Sequence, residues 1–277
     1  MASHIQEGPG LRLHFHLPQF LLGSHQPHSI DPLQKAHLST HQAEFLLNLA
    51  SALLHQECAS LHGTLQHLSF VFQDGHSFLA SLSAFITKFP NNFVQHHSPT
   101  TLLHDIHWWR CTLAHNATPH SLAPHPFIDP CLFVDASTSF GIGIIMGKHW
   151  AAWKLSDGWR LNNRDIGWVE TITMELAMLL LVNVGFNSSI IVIHSDNTGV
   201  IGTYNSGHLH NPEQNSSLQH TMCTLACSGL TISPLYMPSS SNLANAPSCG
   251  HFSLPVTHLL CNFTLPHPLS HWLSPIS

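Results

Sequence analysis

Three carboxylates carry the chemistry this sequence can offer. Asp135 ends the apolar run Leu132-Phe-Val134, Asp196 follows the run Ile190-Ile-Val-Ile193, and Glu175 lies between them within Met174-Glu-Leu-Ala-Met-Leu-Leu-Leu181. A carboxylate inside an apolar run is costly unless it is paired or binds a metal. Three of them, brought from separate elements to one sheet edge, suit two hard divalent cations held by oxygen ligands. Two such ions activate water and stabilise the leaving oxygen in phosphodiester cleavage. Taken singly, each Asp also serves as an ordinary turn or helix cap; the strand–helix–strand order is what joins them. Glu170 competes for the helical position, about 140° around the helix from Glu175 by the 3.6-residue period. The apolar neighbours of Glu175 place it on the buried side, so it is chosen. Glu170 reads as a first-turn acid favoured by the helix dipole.

The elements that must position these groups occupy the second half of the chain. Leu132 to Val134, Phe140 to Met146 and His149 to Leu155 read as strands, the last two joined at Gly147-Lys148. Val169 to Val184 reads as a helix closed by Gly185. Ile190 to Ile193 is a fourth strand, Glu213 to Ser228 a helix followed by Gly229, Leu230 to Tyr236 a fifth strand, and a short helix follows near Leu243. This order predicts a mixed five-stranded sheet flanked by helices, an α/β fold, over residues 131–250.

The first half reads differently. Residues 1–38 are rich in Pro, His and Leu without clear periodicity. Ser39-Thr-His-Gln42 looks like a capping box opening a helix with Phe45, Leu46, Leu49, Leu53 and Leu54 on one side. Further helical stretches cover about 57–72, 76–88 and 102–113, so residues 39–118 form a small helical module. Pro119, Pro124, Pro126 and Pro130 mark a linker over 119–130. Residues 251–277 are left as a C-terminal tail.

Composition narrows the class. The 277 residues are 43% hydrophobic but include only 8 Lys+Arg and 14 Asp+Glu, against 27 His, for a net charge of −6. So much apolar content can bury a core, which excludes intrinsic disorder. The longest apolar run, Leu176 to Val182, is too short to cross a bilayer, and the N-terminus lacks the basic-then-apolar pattern of a signal peptide. No membrane partner is expected. The seven cysteines, an odd number widely spread, suit a reducing cytoplasmic or nuclear setting. Cys223, Cys227, Cys249 and His251 do not form the two tight ligand pairs of a structural zinc site. The histidine pairs are what 27 scattered copies produce.

The runs Leu132-Phe-Val-Asp-Ala-Ser-Thr-Ser-Phe-Gly-Ile-Gly, Met174-Glu-Leu-Ala, Ile193-His-Ser-Asp-Asn-Thr and Asn242-Leu-Ala-Asn-Ala-Pro-Ser resemble the ribonuclease H (RNase H) domain of retroelement reverse transcriptases, closest to the DIRS-like elements of fungi. Ala59-Ser-Leu-His-Gly-Thr-Leu-Gln-His, Gly75-His-Ser-Phe-Leu and Trp108-Trp109-Arg110 are similar to the connection segment that joins polymerase to RNase H, and residues 1–38 to a remnant of palm and thumb. The resemblance spans residues 40–250. It implies an RNase H-like fold, two Mg²⁺ or Mn²⁺ ions, Asp135, Glu175 and Asp196 as metal-binding and catalytic carboxylates, and RNA–DNA hybrid as substrate. A polymerase domain would be a partner; no Asp-Asp pair of the polymerase signature occurs here, so polymerase activity is not expected of this chain.

Two departures weaken the expected catalysis. The family's fourth carboxylate falls on Asn245, which offers a neutral oxygen, and its Arg falls on Cys249. Lys148, Lys154, Arg160 and Arg164 are the basic residues nearest the motifs, and phosphate attraction supplies much of hybrid affinity. Arginine codons beginning CG become His, Gln, Cys or Trp codons under C-to-T change, which would account for both the histidines and the missing cations. The expectation is therefore an impaired RNase H-like fragment. An active Mg²⁺-dependent RNase H and a non-enzymatic, His-rich metal-binding protein stand as alternatives.

Overall fold

The computed structural model describes residues 52–276 apart from 71, 115–124, 163, 208, 254, 260 and 262. The readings of residues 1–38 and of a helix starting at Ser39 lie outside them. Ala52–Leu54, expected at the end of that helix, is instead a strand, β1, antiparallel to β2 (Gln95–His97). Around this ribbon pack α1 (His55–Leu68), a 3-10 segment Gln73–Leu79, α2 (Ala80–Ile86) and α3 (Thr100–Ala114). Their apolar faces meet in a core of Leu61, Leu65, Phe78, Leu82, Leu102, Ile106 and Trp109. Trp109 buries its whole ring and donates its indole N–H to the Phe78 carbonyl at 3.2 Å. Gly75 is required beside it, because a Cβ there would stand 2.3 Å from the ring.

The larger unit is α/β, built on a mixed seven-stranded sheet. β3 (Phe127–Ala136) pairs antiparallel with β4 (Gly141–Met146), and β4 with β5 (His149–Leu155). The turn between β4 and β5 is two residues long, and Gly147 takes the positive φ of 58° that such hairpins favour. β6 (Ile190–Ser195) lies parallel to β3, and β7 (Thr231–Tyr236) parallel to β6. The spatial order is β7-β6-β3-β4-β5, and β8 (Thr257–His258) and β9 (Leu273–Pro275) both line the outer edge of β5.

The sheet has seven strands rather than five because residues 251–277 are not a tail. They supply β8 and β9, and Leu269 and Leu273 enter the main core. The linker is likewise shorter than 119–130: Phe127 to Pro130 belong to β3, ahead of a bulge. Pro130 has no N–H for the ladder, the register shifts between Ile128 and Leu132, and Cys131 sits at φ 53° with its N–H on the Asp129 carboxylate.

The helices of this unit are α4 (Ile166–Asn183), α5 (Thr198–Ser206), α6 (Pro212–Ser228) and α7 (Asn245–Ser248). A short α8 (His267–Ser270) precedes β9. Asp165 caps α4 by accepting the Trp168 N–H at 3.1 Å. Among the described residues α4 is the one helix long and apolar enough to cross a membrane, but 67% of it is buried inside the fold. It lies between the sheet and α6, so it is apolar on nearly every side.

Leu273 is 3% exposed although it stands four residues from the end of the chain. Leu273→Ala should lower stability by about 2–5 kcal/mol, the usual cost of emptying a leucine site. A denaturant midpoint unchanged from the native chain would show that the C-terminal strand is not part of the core.

Candidate active site

Strand direction sets where chemistry can gather. β3 and β5 run alike, both antiparallel to β4, so the ends of β3, β5 and β6 and the start of α4 all lie at one end of the sheet. β3 is also where the sheet changes from an antiparallel hairpin on one side to parallel pairing on the other. Open α/β sheets place their ligand crevices at the carboxyl ends of strands at such a switch.

A cleft of about 610 Å³ opens there, lined by Asp135, Ala136, Ser137, Glu170, Asp196 and Asn197, with Thr198, Ser239, Asn245 and Cys249 completing its wall. Asp135 is held by the buried Ser248, whose hydroxyl donates to its Oδ2. Asp196 Oδ1 accepts from Asn242 Nδ2 at 3.1 Å, and the same amide reaches the Val134 carbonyl at 3.0 Å. Asn242 Oδ1 accepts the Ala244 N–H, so one buried amide ties the loop after β7 to both β3 and Asp196. Asn197 caps α5 through its side-chain oxygen, at 2.8 Å from Gly199 N and 3.1 Å from Val200 N. Its amide hydrogen-bonds Glu170.

The negative charges here are poorly compensated. Burial pushes the Asp135 carboxyl up to about 6; the Ser248 hydroxyl opposes the rise, and the negative charge of Asp196 adds to it. Burial likewise pushes Glu170 up to about 7, with Asp135 and Asp196 adding and the Asn197 amide opposing. Among the described residues no Lys or Arg lines the cleft.

Glu170 and not Glu175 is therefore the glutamate of this cleft. α4 starts at the cleft end, so each residue along it moves about 1.5 Å away. Glu175 lies about 7.5 Å further down the axis and on another side of the helix. It is 1% exposed among the helices. Ser217 of α6 donates to its Oε2, and His220 Nδ1 stands 3.3 Å from Oε1, close enough for an ion pair but not aligned as a hydrogen bond. Apolar neighbours did predict burial, but burial against α6 rather than at the sheet's end.

The expected basic residues separate as well. Lys148 sits in the β4–β5 turn, where the Gly147 N–H bonds Cys131, at the end of the sheet away from Asp135. Arg164 is committed to structure: its Nε and Nη2 bond Glu213 at 3.0 and 2.8 Å, and its guanidinium lies 4.8 Å from the Trp168 ring centre and 4.6 Å from that of Trp272. Lys154 and Arg160 are exposed.

Among the described residues no group of three or more His, Cys, Asp or Glu side chains is gathered closely enough to hold a metal ion as it stands, these carboxylates included. The seven cysteines form no disulfide. In donor type Asp135, Asp196 and Glu170 still fit a hard divalent ion: they are oxygen ligands at one open cleft whose mutual repulsion a cation would relieve. Compared with known proteins, the chain matches no family model, no curated protein and no solved structure.

Two outcomes follow. A Cβ on Gly143 would stand 2.4 Å from Ser248 N and 2.6 Å from the Ala244 carbonyl. Gly143→Ala should therefore push α7 off β4 at a cost of about 1–3 kcal/mol, read as a lowered denaturation midpoint. The Glu175 carboxylate beside the imidazole raises the pKa of His220, against a smaller opposing effect of burial. A raised imidazole contributes stability that is present below its ordinary 6.5 and is lost as pH climbs through the raised value. The stability gap between the native chain and His220→Gln should accordingly shrink as pH rises above the ordinary 6.5 of an imidazole; a gap that stays constant would remove the ion pair.

Proposed function

We propose that this chain carries an RNase H-like nuclease domain of retroelement type, built for divalent-cation-dependent cleavage of the RNA strand of RNA–DNA hybrids and impaired in that activity. The observation that carries the reading is the meeting of Asp135, Asp196 and Glu170 in one cleft at the switch point of the sheet. Antiparallel β3-β4-β5 extended by parallel β6 and β7, with α4 entering after β5, supports the finer fold assignment. Glu170 takes the role that the resemblance assigned to Glu175.

Mg²⁺ or Mn²⁺, when bound, supplies the Lewis-acid charge that phosphodiester hydrolysis needs. Asp135, Asp196 and Glu170 would hold it. Ser248 fixes the rotamer of Asp135, and Asn242 that of Asp196, so the oxygen donors are oriented before any ligand arrives. Ser137, Thr198 and Ser239 line the cleft with hydroxyls able to hydrogen-bond ribose or phosphate oxygens. Asn245 occupies the wall with a neutral amide, whose Nδ2 turns to the Ser239 carbonyl. It adds no charge, and the surrounding wall adds no cation; both lower turnover.

Mg²⁺ or Mn²⁺ should raise the melting temperature of the native chain, and Asp135→Asn or Glu170→Gln should abolish that rise and any hybrid cleavage. Asn245→Asp should strengthen the metal-dependent stabilisation and raise cleavage at least roughly tenfold, a gain equivalent to ~1.4 kcal/mol. Metal-dependent stabilisation that survives Asp135→Asn and Glu170→Gln together would sink the assignment of the cleft.

A further inference from the structure

We infer that the cleft grips a nucleic-acid backbone over only a short stretch, with Lys154 and Arg160 as its two phosphate contacts beyond the scissile group. This rests on reading the cleft as a phosphodiester site.

Along β5, Ala151, Trp153 and Leu155 enter the core under α4, while Trp150 and Ala152 join the smaller cluster with Ile145 on the opposite face. Side chains alternate along a strand, so Lys154 belongs to that opposite face. Asp135 belongs to it too, because Leu132 and Val134 point into the α4 core and Phe133 packs on the other cluster. Asp135 pairs with Gly143, and Gly143 with Ala152, while Lys154 pairs with Gly141. Lys154 therefore stands two strands across and two residues further toward the cleft end, about 12 Å from Asp135 by sheet geometry. That is the span of three or four steps along a nucleic-acid strand at 3.4 Å per step. Arg160 follows β5 at the same end of the sheet, exposed and propped 4.9 Å above the Trp159 ring centre. The indole under its guanidinium orients it without neutralising it.

The other described cations cannot extend this track. Lys148 lies at the far end of the sheet, and Arg164 is bonded to Glu213 and enclosed by two indoles. Lys88 and Arg110 belong to the helical module, which docks on α6, beyond α4 on the other side of the sheet. Among the described residues, two available charges make a small footprint. The logarithm of affinity changes with the logarithm of salt by about −0.9 per neutralised phosphate, so two contacts give a slope near −2.

Fluorescence anisotropy of a labelled RNA–DNA hybrid in Ca²⁺, between about 50 and about 200 mM KCl, reads this directly. The expected slope is about −2; Lys154→Ala and Arg160→Ala each reduce it by about one, and Lys148→Ala leaves it unchanged. A slope steeper than about −4, a loss on Lys148→Ala equal to that on Lys154→Ala, or no binding at the lowest salt would overturn the inference. Salt-sensitive binding through Lys154 and Arg160 that ignores both Ca²⁺ removal and Asp135→Asn would instead remove the nuclease reading and leave the phosphate contacts standing.

Discussion

The absence of a side chain at residue 143 is the constraint on which the rest of the cleft depends. The backbone of residues 244–248 lies where a Cβ of Gly143 would be, so α7 rests flat on β4. Only from that position does Ser248 reach Asp135 and does Asn242 bridge the Val134 carbonyl and Asp196. Three segments distant in sequence are thus fixed to one another by a close approach of backbone to backbone. A carboxylate pair whose charges repel needs such fixing, since none of the described residues lining the cleft offers a positive charge to hold it together.

α6 does the equivalent work on the helical side. One face packs on α4, where Ser217 and His220 meet Glu175. Another meets the helical module: Asn215 and Gln219 both donate to the Ser77 carbonyl, at 2.9 and 3.0 Å, and Gln219 also donates to Asp105 at 3.0 Å. Asp105, 3% exposed, accepts from Ser81 as well. Buried polar groups satisfied across an interface favour one docking geometry over its neighbours.

Much of this was legible in the sequence because local signals agreed with the fold. The β4–β5 hairpin follows from a glycine turn between apolar runs, and the end of α6 from Gly229, where φ is 66°. Asp135 and Asp196 were legible because each ends or follows an apolar strand. Glu175 misled, for a physical reason. α4 is apolar all round, so its pattern could not show which side faces the sheet's end, and depth along the helix axis separates the two glutamates as much as angle does. Topology held that information: β5 ends where α4 begins, which favours the earlier residue. The tail was misread because β8 and β9 are two and three residues long, too short for any alternation to register. Ser248 and Asn242 were present in a recognisable motif, but their role is a contact between distant segments that spacing does not encode.

The pairing of β5 with β8 and β9 has a consequence for how the chain is made. β5 is complete by Leu155, yet its outer edge waits for Thr257, His258 and Leu273 to Pro275. During synthesis roughly a hundred residues must follow before that edge is covered, at about 5–20 residues per second. For those seconds a strand carrying Trp150 and Trp153 shows unpaired backbone to its surroundings, the kind of surface to which chaperones bind and on which nascent chains aggregate. The short strands Thr257–His258 and Leu273–Pro275 are therefore what seals the outer edge of β5.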